Sequence, residues 1–130
     1  MSARLQQIVV DSRDPARLVR FWAALLGGAP VDRALGWSHV QPPDSPRMSF
    51  QPVPEPKSLK NRLHLDIDVP DIEDAAARCV ELGASTVGGV VTDESGSFQV
   101  MLDPEGNEFC LIGRIAAVSG PPPSTTPRRT

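Results

Sequence analysis

The chain has 130 residues, 40% hydrophobic and 22% charged, the composition of one globular domain able to bury a core without staples. A net charge of -3, with Arg128-Arg129 the one locally basic pair, offers no stripe to neutralise phosphates, so nucleic acid is excluded as an expected partner. No apolar run approaches the ~18 residues of a membrane span, and the opening residues lack an apolar signal core, so the expected setting is the cytoplasm with no membrane partner.

Leu5 to Asp11 alternates, with Ile8 and Val10 on one face and Gln7, Val9 and Asp11 on the other, which predicts the first strand. Asp14-Pro15 opens a helix, Asp as N-cap and Pro at the first helical position. Leu18, Phe21, Trp22 and Leu25 recur at helical spacing as its buried stripe, and Gly27-Gly28 ends it. Short strands are predicted over Val31 to Leu35, Trp37 to Gln41 and Arg47 to Val53. Pro52, Pro54 and Pro56 then break the pattern, because proline cannot donate to a central ladder.

Leu63 to Val69 alternates strictly, with Leu63, Leu65, Ile67 and Val69 on one face and His64, Asp66 and Asp68 on the other. Asp71 caps a second helix whose stripe is Ile72, Ala75, Ala76, Cys79 and Leu82, with Gly83 as the stop. Strands follow over Ser85 to Val90, Ser97 to Leu102 and Glu108 to Ile112, the last entered through the turn Asp103 to Asn107. From Ser119 on the chain is Pro, Ser, Thr, Gly and Arg, too polar to offset its ordering entropy. Cys79 and Cys110 are expected as free thiols.

The second half repeats the first. Gln7 stands as far before the capping Asp14 as His64 stands before the capping Asp71. Two βαβββ modules follow, of about 55 residues each, too short to close a sheet alone and therefore expected to pair. The fold class is α+β. One domain spans 1–113, with module one at 4–53, a linker at 54–61 and module two at 62–113, and 114–130 is a disordered tail.

Two readings stay open for most polar candidates. His64 is a ligand or general base oriented by a neighbouring carboxylate, or a core histidine satisfied by a local hydrogen bond. Glu108 shares the face of Cys110, as a site carboxylate or a rim charge, and Cys110 is a reactive thiol or a small buried hydrophobe. Asp66, nearer the strand centre than Asp68, is the stronger candidate of that pair. Trp37, His39 and Gln41 share one face, as a stacking wall with polar partners or as an exposed edge. Phosphate-cradling glycine loops and the Gly-x-Ser-x-Gly elbow are missing from the sequence.

The stretch Asn61-Arg62-Leu63-His64-Leu65-Asp66, the helix ending Leu82-Gly83-Ala84, the run from Asp103 to Leu111 and the helical pair Phe21-Trp22 together resemble the vicinal oxygen chelate superfamily. That group includes glyoxalase I, extradiol dioxygenases and bleomycin-resistance proteins, and the likeness is to its glyoxalase-like domain branch, over residues 4–113. The resemblance implies a cup-shaped, mostly antiparallel sheet with the helices outside and one site within the cup. It places Gln7 and His64 at the first-strand ligand positions, Cys110 at the last-strand position of module two and Gln51 at that of module one. This set lacks the family's acidic ligands, and Glu108 is the residue placed to supply one. The implied catalytic pair is His64 and Glu108. Gln7, Trp37, His39, Gln51, Asp66 and Cys110 would line the ligand, and His64, Gln7 and Glu108 would hold a divalent metal ion if one is used. The implied partner is a small organic molecule, and the expected pairing of modules, within one chain or exchanged between two, suggests a homodimer. A metal-assisted lyase or isomerase, a metal-free sequestering protein of the bleomycin-resistance kind, and an accessory domain all remain open at this level.

Overall fold

A computed structural model describes residues 1–113, and the segment expected to be disordered, 114–130, lies outside the described residues. The chain divides into two compact units, Met1–Leu59 and the segment from Lys60 onward, and each runs in the order βαβββ. The elements are β1 (Gln7–Ser12), α1 (Pro15–Leu26), β2 (Val31–Asp32), β3 (Ser38–Val40) and β4 (Arg47–Pro52), then β5 (Leu65–Asp68), α2 (Ile72–Glu81), β6 (Ser85–Asp93), β7 (Gly96–Leu102) and β8 (Glu108–Gly113). The sheets have the orders β1-β4-β3-β2 and β5-β8-β7-β6, with β1 parallel to β4, β5 parallel to β8, and the other neighbours antiparallel. The α+β class and the repeat are as the sequence predicts.

In the first unit, the Asp14 carboxylate accepts the Arg17 N–H at 3.2 Å, Pro15 supplies the first helical turn, and the Gly27 N–H closes on the Ala23 carbonyl at 2.8 Å. Gly27 and Gly28 both take positive φ, and a Cβ on Gly28 would stand 2.7 Å from the Gln41 carbonyl oxygen. Which sheet face the helix covers follows from Arg20. It reaches out of α1 to chelate Asp32 at 3.1 and 2.9 Å, and Ser38 donates to the same carboxylate at 2.9 Å. Ser38 is the register partner of Phe50, so Asp32, Ser38, Val40, Met48 and Phe50 face α1. Leu18, Val19, Val40 and Phe50 are wholly buried there, each contributing about 1.5–3 kcal/mol relative to an exposed side chain. Gln7, Val9, Asp11, His39, Arg47, Ser49 and Gln51 therefore occupy the opposite face.

In the second unit, Asp71 caps α2 by accepting the Asp74 N–H at 3.1 Å. A Cβ on Gly113 would meet Ile72 Cγ1 at 2.9 Å, which fixes the face of Phe109, Leu111 and Gly113 as the one under α2. Asp66, Asp68, Phe98, Val100, Leu102, Glu108, Cys110 and Ile112 point the other way.

The larger departures of strand ends from expectation, by two residues or more, each have a local reason. β1 starts at Gln7 because Leu5 has no ladder partner and is 68% exposed. β5 covers Leu65–Asp68 rather than Leu63 to Val69, because the Asn61 side chain takes the Glu108 N–H at 2.9 Å and the ladder begins only at Leu65 and Phe109. Val31 to Leu35 forms two strand residues and then a 3₁₀ turn, Ala34–Gly36, in which Leu35 adopts φ +64°. β6 continues past Val90 to Asp93 through a bulge, where the buried Gln99 amide donates to the carbonyls of Val87 at 3.3 Å and Gly88 at 3.0 Å.

Candidate functional site

The second unit gathers its reactive side chains where β5 meets β8. Asp66 and Cys110 are register partners, and His64 precedes Asp66 by two residues on the same face. His64 Nε2 lies 3.6 Å from Asp66 Oδ1, and one donor atom each from His64, Asp66 and Cys110 falls within 4.8 Å of the others. Their access is graded: the Asp66 side chain is 45% exposed, His64 31%, and Cys110 is wholly buried. Two neighbouring ligands of one tetrahedral zinc ion stand roughly 3.3–3.7 Å apart for bond lengths near 2.0–2.3 Å, so the His64–Asp66 spacing already suits such an ion. An imidazole, a carboxylate and a thiol are also the donors zinc accepts, and the two anionic forms would cancel its charge. The residues present therefore fit a divalent metal of borderline softness.

Glu108 stands apart from this group. Lys60 Nζ donates to its Oε1 at 2.6 Å, and Asn61 holds its backbone N–H, so the carboxylate is matched by a cation from the segment leading into β5. Asp68 is exposed at the far end of β5, opposite Ile112.

In the first unit, Ser49 donates to Gln7 Oε1 at 2.6 Å. Register relates the two units position by position. Val9 pairs with Ser49 as Asp66 pairs with Cys110, and Gln7 and His64 each stand two residues earlier. Ser49, and not Gln51, is therefore the counterpart of Cys110, while Gln51 is exposed beside Asp11 and corresponds to Ile112. Arg47 is the counterpart of Glu108 by the same count. Gln7 thus keeps its place as the counterpart of His64, whereas Gln51 does not match Cys110.

Trp37 and His39 meet through a residue that composition does not single out. The Arg33 guanidinium lies 5.2 Å from the Trp37 ring centroid, and its Nη1 is 3.4 Å from His39 Nδ1. Burial, then the charges of Arg47 and Arg33, hold the His39 pKa below the ordinary imidazole value, which favours the neutral ring, whose Nδ1 can accept from Arg33. Gln41 turns its amide onto the Ser45 carbonyl at 2.8 Å. A cavity of about 420 Å³ lined by Gln6, Gln7, Arg33, Gln41 and Arg47 opens on this unit.

Neither Cys79 nor Cys110 is part of a disulfide, and both are buried. Burial raises the pKa of Cys79 against a smaller opposing effect of Arg78, which leaves it a packing residue of α2. Phe21 and Trp22 are buried in the α1 core, their rings edge to face at 5.3 Å. No helix among the described residues is long and apolar enough to cross a membrane.

Solved structures of similar architecture cover most of the chain. A glyoxalase/bleomycin resistance protein/dioxygenase family enzyme from Burkholderia phytofirmans PsJN aligns with a TM-score of 0.73 at 17% identity, over 87% of this chain and 100% of that one. The fosfomycin resistance protein FosX from Mesorhizobium loti aligns at 0.69 and 17% identity, over 88% and 95%. The oxidase ChaP-H2 aligns at 0.68 and 18% identity, over 92% and 100%. At these identities the likeness establishes the fold. No curated protein sequence matches the chain. The sequence model of the glyoxalase-like domain matches residues 7–112, nearly the whole described chain, and the protein belongs to the glyoxalase-like domain family, within the vicinal oxygen chelate superfamily.

Proposed function

We propose that the protein binds a small organic molecule and a divalent metal ion, zinc by donor type, and acts on that molecule as a lyase or isomerase of the glyoxalase kind. The observation that supports this reading is the convergence of His64, Asp66 and Cys110 donors within 4.8 Å at the junction of β5 and β8. A bound ion there would polarise a substrate oxygen and acidify an adjacent C–H bond. His64 would contribute its ring nitrogen, and Asp66 would orient or share that ring from 3.6 Å. Glu108, two residues before Cys110 on this face, would take and return a proton once released by Lys60. The setting we assign is the cytoplasm, and the working form a homodimer.

A metal-free reading has its own support. Cys110 is wholly buried, Glu108 is neutralised by Lys60, and Gln7 already accepts from Ser49, which together suit a binding or sequestering protein. Calorimetry of the chelator-treated protein against Zn²⁺ separates the two. The metal reading expects one site per chain and, at a hundredfold excess over Kd, about 2.7 kcal/mol of added stability, or ~10 °C in Tm. His64→Ala and Asp66→Asn should abolish both effects, and cobalt substitution should give a thiolate charge-transfer band that Cys110→Ser removes. Wild-type protein without stoichiometric metal or a thermal shift overturns the metal reading and leaves metal-free binding. Sedimentation as a monomer at working concentration would overturn the homodimer.

A further inference from the structure

Two arginines of the first unit, Arg33 and Arg47, line one cavity, and among the described residues neither has a carboxylate within ion-pair distance. Gln7 and Arg47 are register partners on β1 and β4, side by side on the face turned away from α1. Arg33 joins them from the turn after β2. Its backbone N–H donates to the Trp37 carbonyl at 2.7 Å, and its guanidinium is held between the Trp37 ring and His39 Nδ1. The cavity of about 420 Å³ is lined by Arg33 and Arg47 together with Gln6, Gln7 and Gln41, with no acid among them. Among the described residues, Arg20, Lys60 and Arg78 each meet a carboxylate, at 2.9, 2.6 and 3.3 Å, whereas Arg33 and Arg47 meet none.

Two like charges facing one cavity repel each other, and an anion between them removes that repulsion while making charge-assisted hydrogen bonds to both. The amides are arranged to help. Ser49 fixes Gln7 by donating to Oε1, which leaves the Gln7 NH₂ as a donor, while Gln41 has its NH₂ committed to Ser45 and Pro42 carbonyls. Arg33 is also held in place before any ligand arrives, since stacking and the His39 contact restrict a side chain that would otherwise lose rotamer entropy on binding. The volume lies within the ~300–1,000 Å³ of small-molecule pockets, so the anion would be one group of a larger molecule.

We infer that this cavity binds the oxyanion group of a small organic molecule, a carboxylate or a phosphoryl group, gripped by Arg33 and Arg47 with the Gln7 amide as third donor. The inference stands on the first unit alone and is independent of any metal at His64. It also gives His39 a role as a positioning residue, a neutral acceptor that keeps Arg33 beside Trp37.

The test uses the full chain, treated with chelator so that a metal at His64 cannot contribute. Arginine Nε–Hε resonances are followed by NMR in low salt against inorganic phosphate, methylphosphonate, acetate and the neutral acetamide. Saturable shifts of Arg33 and Arg47 with an anion, accompanied by a change in Trp37 emission, are expected. Binding should weaken by about tenfold or more in Arg33→Gln and in Arg47→Gln, and should persist in Arg78→Gln, which removes a guanidinium of the other unit. All three side chains are exposed, so the variants should fold. Saturation by the phosphorus oxyanions alone identifies a phosphoryl ligand, and saturation by acetate alone a carboxylate. Absence of saturation with every anion, an equal response to acetamide, or retained binding in the Arg33→Gln, Arg47→Gln double variant overturns the inference. A failed zinc titration with saturable anion binding would sink the metal reading and leave this one standing.

Discussion

Asp103 is where the turn into β8 is made, and replacing it should destabilise the second unit measurably. The carboxylate is 3% exposed and accepts from the Glu105 N–H at 2.8 Å, the Asn107 N–H at 3.0 Å and the Asn107 side-chain amide at 3.1 and 2.9 Å. The backbone also closes on itself, Asp103 N–H to the Asn107 carbonyl at 2.8 Å and Gly106 N–H to the Asp103 carbonyl at 2.9 Å. Asp103→Ala leaves those backbone bonds in place and strips two N–H groups and one amide of their acceptor. Each unsatisfied buried donor costs about 1–3 kcal/mol, but Glu105 and Asn107 are half-exposed and water recovers part of that, so ~2–4 kcal/mol is expected. Asp103→Asn keeps one acceptor oxygen and loses the second together with the charge, and should fall roughly midway. Against a total of about 5–15 kcal/mol for a domain, the alanine loss is large. Urea denaturation followed by far-UV circular dichroism measures it as a fall in midpoint at constant slope. A loss under about 1 kcal/mol for the alanine variant, or asparagine as harmful as alanine, would refute the reasoning, because both would mean that the carboxylate's bonds do not hold the turn.

Three further outcomes follow from single positions. Gly113→Ala places a methyl 2.9 Å from Ile72 Cγ1 and should cost about 1–3 kcal/mol in the same denaturation assay, with Ile72→Val, Gly113→Ala recovering part of it. Leu35 is 90% exposed at φ +64°, a region asparagine tolerates far better, so Leu35→Asn should raise Tm, by about 1 kcal/mol of relieved strain at most. His39 has a folded-state pKa below its unfolded value, so the unfolded chain binds the proton first and stability declines as pH falls through ~6.5, levelling below the folded pKa. Urea midpoints between neutral pH and pH 5 should show this slope in the wild type and a flatter one in His39→Gln; an unchanged slope in the variant would remove His39 as its source.

The helices and the repeat were legible because their signals are local. An aspartate whose carboxylate accepts the N–H three residues on marks the helix start in both units, at Asp14 and at Asp71, and Pro15 adds to that signal in the first unit alone. The faces of the strands were legible too, since alternation fixes which residues share a side. Register was not. A slip of two residues leaves every side chain on the same face, so alternation could not choose between Gln51 and Ser49 as the counterpart of Cys110; the parallel pairing of β1 with β4 does. The cluster of Arg33, Trp37 and His39 was hidden for a different reason. It depends on a turn through Leu35 in a left-handed conformation, and leucine gives no sign of one.

Register also shows how one architecture came to hold two different chemistries. Apart from Asp32, Ser38 and Gln99, the helix-facing positions of the two units are alike in kind, mostly apolar, because both must cover an amphipathic helix. The opposite faces have parted. Where the first unit has Gln7, Val9, Arg47 and Ser49, the second has His64, Asp66, Glu108 and Cys110 at the corresponding places. His39 in β3 corresponds to Val100 in β7, since each is the antiparallel partner of Ser49 or Cys110. Around Gln7 and Arg47 the first face is rich in guanidinium and amide groups, suited to an oxyanion, with Asp11 farther along β1, and around Asp66 the second carries carboxylates, an imidazole and a thiol, suited to a cation. A protein that used either face only as a solvated surface would have no reason to segregate charge by unit, and scrambling it offers the sharpest comparison. Exchanging the register-matched pair, Arg47→Glu with Glu108→Arg, keeps composition and net charge constant. It should abolish the anion binding seen in the wild type if Arg47 grips the anion, and binding retained in the exchanged variant would refute that role.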